Sequence, residues 1–189
     1  MTKITDIVFV TGNPEKADNF SRHIGIAIGH QPAELQEIQT LNPKELIEYK
    51  ARQAYDQLHK PVLVEDVEFV FHALGSLPGP FIKYFVQAEN GGEKMCRMLD
   101  GFTDRGATAS CTYAYYDGSE LTIFTGELAG MVADSPRGTG GYGFDRVFEP
   151  SGFGGKTAAE LDQADYDRYY STIKPFDKIR IFLEKKCHI

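Results

Sequence analysis

The sequence predicts an α/β protein with a long, mixed, twisted β-sheet flanked by helices. In the first half of the chain, β-rich apolar runs alternate with amphipathic helical patterns, as in strand–helix units. Over residues 107–133 the apolar period changes to two around Asp117-Gly118, a strong hairpin signal that adds antiparallel strands. We find no linker-like change of composition, so we expect residues 1–189 to form a single domain.

The first elements follow from apolar runs and helix-capping residues. The run at 4–10 predicts a mostly buried strand, and a helix follows in which Asn13 is the N-cap and Pro14 suits the first turn. The same Asn-Pro pair opens a second amphipathic helix over 42–58. The run at 61–71 predicts another strand, which becomes acidic partway along.

Later elements follow from the same signals. Beyond the hairpin, a short strand precedes two C-terminal helices. The predicted ranges are helices over 78–87 and 91–99, a strand at 146–148, and helices near 162–170 and 175–187.

Composition excludes several classes of protein. A formal net charge of −7 argues against a duplex nucleic-acid binder, although local lysines can still bind a phosphorylated small molecule. No apolar run approaches the roughly 18 residues of a membrane span, and the N-terminus lacks the apolar core of a signal peptide. The three cysteines lack CxxC spacing, so we expect reduced thiols in a cytoplasmic protein.

Residues 11–16 are a candidate anion site. Thr11, Gly12 and Asn13 lie at a strand-to-helix junction, where free N–H groups and the helix dipole favour negative charge. Lys16 adds a positive charge in the first helical turn. A well-capped helix start without a ligand explains this segment equally well.

A group of acids in an apolar strand is the second candidate site. Glu65, Asp66 and Glu68 interrupt a run of Val, Leu and Phe, where a charge is costly unless it is paired or binds a cation. A hard divalent ion such as Mg²⁺ would bind these carboxylates, with Glu37 as a further acid. The alternative is a set of carboxylates at an exposed strand end.

The glycine-rich loop at 138–150 is the third candidate site. Tyr142 and Phe144 would stack on a planar ring, and Asp145 would accept hydrogen bonds from ring N–H groups. A surface turn with an aromatic core anchor explains the loop better when the loop is taken alone. Lys50 and Lys83 are candidate phosphate ligands, although each alone is consistent with a solvated lysine.

Taken together, these motifs resemble the inosine triphosphate pyrophosphatase family, the house-cleaning enzymes that hydrolyse deaminated purine nucleoside triphosphates. The resemblance implies two lobes around a central nucleotide cleft, a nucleoside triphosphate substrate, Mg²⁺ as cofactor, release of pyrophosphate, and a homodimer. The matching segments occur in family order, at 9–16, 34–39, 50–54, 61–69, 73–85 and 141–145.

The resemblance also implies roles for individual residues. Residues 11–16 would hold the triphosphate, and two further lysines would add positive charge. The carboxylate of Asp66 would bind Mg²⁺ and activate the attacking water. The remaining implied assignments are Lys50 and Lys83 for phosphate, Glu37 for metal, Phe144 for stacking and Asp145 for the edge of the base, with Ser171 kept from a family motif. Beside these, Glu65 is a further metal candidate, and Tyr142 and Gly143 are further substrate-binding candidates.

One motif departs from the family. Its late helix normally carries a KNxxSHR signature, whereas residues 167–173 keep only Ser171 and have Thr172 and Ile173 in place of the His and Arg. Pro175 follows, so the helix is expected to break there. We therefore hypothesise altered or relaxed base selection, with a catalytically weak nucleotide-binding or sensing protein as the alternative.

Overall fold

The structure is a computed structural model that describes residues 4–187. Its Cα packing divides the chain into two compact units that are interleaved in sequence. The described part of unit 1 comprises 4–66, 112–125 and 175–187, and unit 2 comprises 67–111 and 126–174. The single domain and the central nucleotide cleft remain predictions.

Seven strands form a mixed sheet in the order β2-β1-β3-β5-β6-β7, with β4 paired to β3. β1 is parallel to β2 and β3, whereas β4 is antiparallel to β3 and β7 is antiparallel to β6. The predicted α/β class is therefore confirmed. The strands are β1 (Val8–Val10), β2 (Gly29–Gln31), β3 (Val62–Phe71), β4 (Pro78–Gly79), β5 (Gly106–Tyr116), β6 (Leu121–Val132) and β7 (Phe148–Pro150).

Within residues 4–187, six α-helices accompany the sheet, and two begin at the predicted Asn-Pro pairs. Oδ1 of Asn13 accepts from two first-turn N–H groups of α1, and Asn42 caps α2 in the same way. Among residues 4–187, no helix is long and apolar enough to cross a membrane. The helices are α1 (Pro14–Ile24), α2 (Pro43–Leu58), α3 (Ile82–Gln87), α4 (Gly91–Arg97), α5 (Gln163–Ile173) and α6 (Phe176–Cys187).

Aromatic side chains fill both cores. In unit 1, Phe20 of α1 stacks on Phe9 of β1 at a centroid distance of 4.8 Å and packs edge-on against Phe176 at 6.0 Å. In unit 2, the ring of Phe69 lies 4.4 Å from that of Phe144 and nearly parallel to it. Buried aromatic pairs of this kind add about 0.5–1.5 kcal/mol beyond their burial.

Two strand boundaries differ from the predictions. The run at 4–10 begins with a 3₁₀ turn over Ile4–Asp6, so only its last part is a strand. The short strand after the glycine-rich loop begins at Phe148, two residues later than predicted, because residues 143–147 form turns. The break before Pro175 is confirmed, since α5 ends at Ile173.

Candidate active site

The start of α1 is well capped. The N–H groups of Glu15 and Lys16 donate to Oδ1 of Asn13 at 2.9 and 3.4 Å. The N–H of Asn13 donates to Oγ1 of Thr11 at 3.1 Å. The capped-helix interpretation therefore accounts for most of these donors, while Gly12 lies exposed beside them with room around its backbone. A phosphate role for residues 11–13 remains a prediction.

Lys50 links two of the predicted acids. Its Nζ atom in α2 donates to Oδ1 of Asp66 at 2.9 Å and lies 3.7 Å from Oε1 of Glu37. The same ammonium donates to the backbone carbonyl of Glu65 at 3.2 Å. Two carboxylates from separate segments therefore converge on a single cationic position.

Glu65 has different partners, all within unit 1. Its Oε1 atom accepts from Nζ of Lys16 at 3.1 Å, and its Oε2 atom accepts a short hydrogen bond from the hydroxyl of Tyr113. Both oxygens are thus engaged, which leaves Glu65 the weakest of the three predicted metal ligands. Tyr113 had no signal in the sequence, because its partnership with Glu65 depends on which strands are neighbours.

The acid–lysine cluster of unit 1 has one excess negative charge. It contains three carboxylates, Glu37, Glu65 and Asp66, against the ammonium groups of Lys16 and Lys50. Burial raises the pKa of Asp66, the ion pair with Lys50 opposes this rise, and repulsion from the other two acids adds to it. Such a site favours the binding of a further cation.

The donor set fits a hard divalent ion. Oδ2 of Asp66 is buried and has no hydrogen-bond partner among the described residues, which is costly for a carboxylate oxygen unless a ligand completes it. No group of three His, Cys, Asp or Glu side chains within 4–187 forms a complete metal site. Mg²⁺ commonly takes one or two carboxylates and completes its shell with substrate phosphates and water, so Asp66 and Glu37 suffice.

Unit 2 contains a pocket lined mainly by aromatic side chains, and its empty volume of about 390 Å³ includes open solvent. The ring of Tyr170 packs nearly parallel to that of Tyr166 at 6.1 Å and edge-on to that of Tyr142 at 6.5 Å. Such faces suit a planar ligand. Prominent in the lining are Tyr142, Phe144, Tyr166, Tyr169, Tyr170 and Lys174.

Asp145 lies in the wall of this pocket and is buried. The hydroxyl of Tyr169 donates to its Oδ1 at 2.8 Å, while the hydroxyl of Tyr166 and the N–H of Tyr142 donate to Oδ2, both at 2.9 Å. Burial raises the pKa of Asp145, and the three hydrogen bonds and the charge of Lys174 oppose the rise. In this structure Asp145 orients two phenols, whereas its contact with a base remains a prediction.

The phenols of Tyr166 and Tyr169 were missed by the sequence analysis. Burial and the charge of Asp145 raise the pKa of both hydroxyls, so they keep their protons and act as donors. Their i, i+3 spacing on α5 was a usable signal, because it places both side chains on one helix face.

Two glycines of the loop adopt backbone conformations with positive φ. Gly141 has φ +66°, and a Cβ atom there would collide with Oδ2 of Asp145. Gly143 has a similar φ of +65° but open space around it. The loop backbone therefore lies close to a side chain of the same loop at Gly141.

The other predicted residues lie as follows. Phe144 is buried against Phe69 and lines the pocket. Lys83 is exposed on α3, 5.1 Å from the ring of Tyr84. Ser171 is exposed on α5 and does not line the aromatic pocket. The substrate contacts of all three remain predictions.

A family model described as the Ham1 family matches residues 7–180. The chain belongs to the Ham1 family. It is 38% identical over 181 residues to the inosine triphosphate pyrophosphatase of Emericella nidulans, covering 94% of this chain and 96% of that protein. It is 36% identical to inosine triphosphate pyrophosphatase 2 of Trypanosoma cruzi, covering 86% and 84%.

Solved structures support the fold. A HAM1 protein from Coxiella burnetii aligns with a TM-score of 0.84 at 24% identity, covering 96% of this chain and 99% of that one. The Ham1 protein of Staphylococcus aureus aligns with a TM-score of 0.80 at 23% identity, covering 95% and 98%. Both likenesses agree with the mixed sheet and flanking helices.

Ham1-family enzymes hydrolyse non-canonical purine nucleoside triphosphates to the monophosphate and pyrophosphate. They are hydrolases of acid anhydrides and generally depend on a metal ion. The resemblance inferred from the sequence is therefore confirmed at the level of the family.

Proposed function

We propose that this protein hydrolyses nucleoside triphosphates to the monophosphate and pyrophosphate, with non-canonical purines such as ITP and XTP as its substrates. The observation that carries the proposal is the convergence of Asp66 and Glu37 on Lys50, with Oδ2 of Asp66 buried and without a hydrogen-bond partner among residues 4–187. Cleavage of a phosphoanhydride by water needs a carboxylate beside the water and positive charge around the phosphates. The cluster contains both.

Asp66 is the proposed general base. Hydrolysis between the α- and β-phosphates requires one proton to leave the attacking water as the new P–O bond forms. Oδ1 of Asp66 is held by Lys50, so Oδ2 is the oxygen that can take this proton. Burial raises the pKa of Asp66, which makes the carboxylate a better proton acceptor than an exposed aspartate.

Mg²⁺ is the proposed cofactor, with Asp66 and Glu37 as the residues that would hold it. When bound, it would neutralise charge on the phosphates and on the departing pyrophosphate. Glu65 is a candidate for a supporting role, because it already accepts from Lys16 and Tyr113.

The lysines are proposed to bind phosphate oxygens. Lys16 and Lys50 form ion pairs with carboxylates in this structure. Because each ammonium group has three N–H donors, each can also donate to a phosphate oxygen. Lys83 and the backbone of residues 11–13 would add further donors. The pocket of unit 2 is proposed to bind a purine base, because its lining is mostly aromatic.

The test is pyrophosphate release from a panel of nucleoside triphosphates with Mg²⁺, comparing the wild type with Asp66→Asn. We expect a loss of at least 100-fold in kcat, with nucleotide binding retained. Glu48→Gln is the matched control, because Glu48 is an exposed acid of α2 that pairs with Arg52 and is expected to leave turnover unchanged. Nucleotide binding without turnover by the wild type would favour the binding or sensing protein instead.

A homodimer is a further proposal, which rests on the resemblance to the family, and a cytoplasmic location is proposed from the three cysteines without CxxC spacing. Light scattering after size-exclusion chromatography measures the mass in solution. A mass of about twice the 21.1 kDa chain is the expected result.

A further inference from the structure

Pro175 determines where the side chain of Lys174 lies. A residue that precedes proline is excluded from helical geometry, and Lys174 accordingly has φ −97° and ψ 121°. Its N–H still donates to the carbonyl of Tyr170 at 3.0 Å and closes the last turn of α5. The chain therefore leaves the helix at Lys174.

The side chain of Lys174 lines the aromatic pocket. The residue is only 3% exposed, and its Nζ atom lies 5.1 Å from the centre of the Tyr170 ring. Its charge also acts on Asp145, another pocket residue. Burial of a lysine is rare and costly, and the charge of Asp145 and the ring of Tyr170 offset part of that cost here.

Arg168, a second cation close to Lys174 in sequence, faces solvent. Its guanidinium forms an ion pair with Asp165 at 2.8 Å and lies 4.5 Å above the ring of Phe153. Its side chain is 62% exposed, and the residue does not line the pocket. The structure thus places Lys174 in the pocket lining and Arg168 at the surface.

The chemistry of the pocket favours a base that presents an acceptor. An ammonium group only donates hydrogen bonds, and it has three N–H groups, so a ligand can share it with other partners. Asp145 already accepts three hydrogen bonds from residues of its own unit. An oxo oxygen on the base would accept a hydrogen bond from Lys174. An amino group at the same position is itself a donor, so it could not form this hydrogen bond.

We propose that Lys174 is a specificity-determining residue, whose ammonium group donates to the 6-oxo oxygen of a purine base. This inference rests on the proposed function, because it names the group that selects the base. It replaces the hypothesis of relaxed base selection. Thr172 and Ile173 stand in place of the His and Arg of the family motif, and the buried ammonium group of Lys174 supplies a hydrogen-bond donor instead.

The test compares ITP with ATP, whose bases differ only in the 6-substituent. The wild type is expected to favour ITP in kcat/KM, and Lys174→Met to reduce that ratio roughly 10- to 100-fold, the effect of losing a charged hydrogen bond. Lys174→Arg should retain much of the ratio because it keeps a cationic donor. Arg168→Met is the matched control and should leave the ratio unchanged.

Two further measurements test the inference. The first does not require turnover, and the second does not require a variant that folds. Calorimetric binding of IMP and AMP should show tighter binding of IMP to the wild type, with the difference lost in Lys174→Met, even if no triphosphate is hydrolysed. Purine riboside triphosphate, which has hydrogen at position 6, should be as poor a substrate for the wild type as ATP, and this needs no variant.

The outcomes separate the two proposals. An absence of pyrophosphate from every triphosphate would overturn the proposed function, while IMP and AMP binding would still decide the role of Lys174. Turnover with an unchanged ITP-to-ATP ratio in a folded Lys174→Met variant would overturn the inference alone. A wild type that binds AMP as tightly as IMP would overturn it as well.

Discussion

The hydroxyl of Tyr169 donates to Oδ1 of Asp145 over 2.8 Å, and both side chains are almost completely excluded from solvent. Removing the hydroxyl leaves a buried carboxylate oxygen without its donor. We therefore expect Tyr169→Phe to lower the free energy of unfolding by roughly 1.5–3 kcal/mol, measured by urea denaturation. Tyr84→Phe is the control, since Tyr84 is exposed, and its expected change is below about 0.5 kcal/mol. Equal effects of the two variants would contradict this account.

Lys50→Met should destabilise the protein, because it leaves Asp66 as a poorly hydrated carboxylate beside Glu37. The side chains of Lys50 and Asp66 are only 11% and 12% exposed, so we expect a loss of roughly 2–4 kcal/mol in the free energy of unfolding. The double variant Lys50→Met/Asp66→Asn should recover part of this loss. Lys44→Met, at an exposed position of the same helix, provides the control. Strict additivity in the double variant would show that the ion pair has no coupling energy.

The lowered pKa of Asp117 makes the stability of the protein depend on pH. Nζ of Lys186 lies 2.9 Å from its Oδ2 atom, and the N–H groups of Ser119 and Glu120 donate to Oδ1, so the pKa of Asp117 falls below its ordinary value of 3.8. A lowered folded pKa adds stability that is present above the unfolded value and disappears as the pH falls through the folded one.

We therefore expect Asp117→Asn to lower Tm by roughly 2–4 °C near pH 7, corresponding to about 1 kcal/mol. This difference from the wild type should shrink as the pH falls below about 4. Calorimetry from pH 7 to pH 3 measures it. Asp134→Asn, at a position whose side chain is 91% exposed, should show neither effect. A difference that grows on acidification would contradict the assigned sign.

Gly141 and Gly143 form a matched pair for the glycine-rich loop. Both have φ near +65°, but only at Gly141 would a Cβ atom meet Asp145. Gly143→Ala should therefore cost about 1 kcal/mol of backbone strain, whereas Gly141→Ala should cost roughly 1–3 kcal/mol more. Chemical denaturation of both variants measures the difference. Similar losses would mean that backbone strain alone explains the two glycines.

Much of the fold was predictable because its signals are local. Asn13 and Asn42 each stand directly before a proline and an amphipathic pattern, so the sequence defines both helix starts. The turn at Asp117-Gly118 gives the hairpin of β5 and β6 in the same way. The boundary of β1 was less predictable, since an apolar run does not show where a 3₁₀ turn gives way to a strand.

The candidate site was predictable only in part. The acids of β3 and the lysines were identified by residue type and by resemblance to the family, but their pairing was not. Lys50 joins Asp66 to Glu37, and Glu65 pairs with Lys16 and Tyr113, over separations of up to 49 residues. Sequence spacing contains no information about such contacts, because they depend on which strands and helices pack together.

The sequence by itself determined the class of fold, the family, and the position of the break before Pro175, because these depend on local preferences and on motif order. Only the tertiary structure decided that two phenols donate to the buried carboxylate of Asp145, and that Lys174 rather than Arg168 lines the aromatic pocket. The physical reason is that burial and hydrogen-bond partnership are properties of packed neighbours, which lie far apart along the chain.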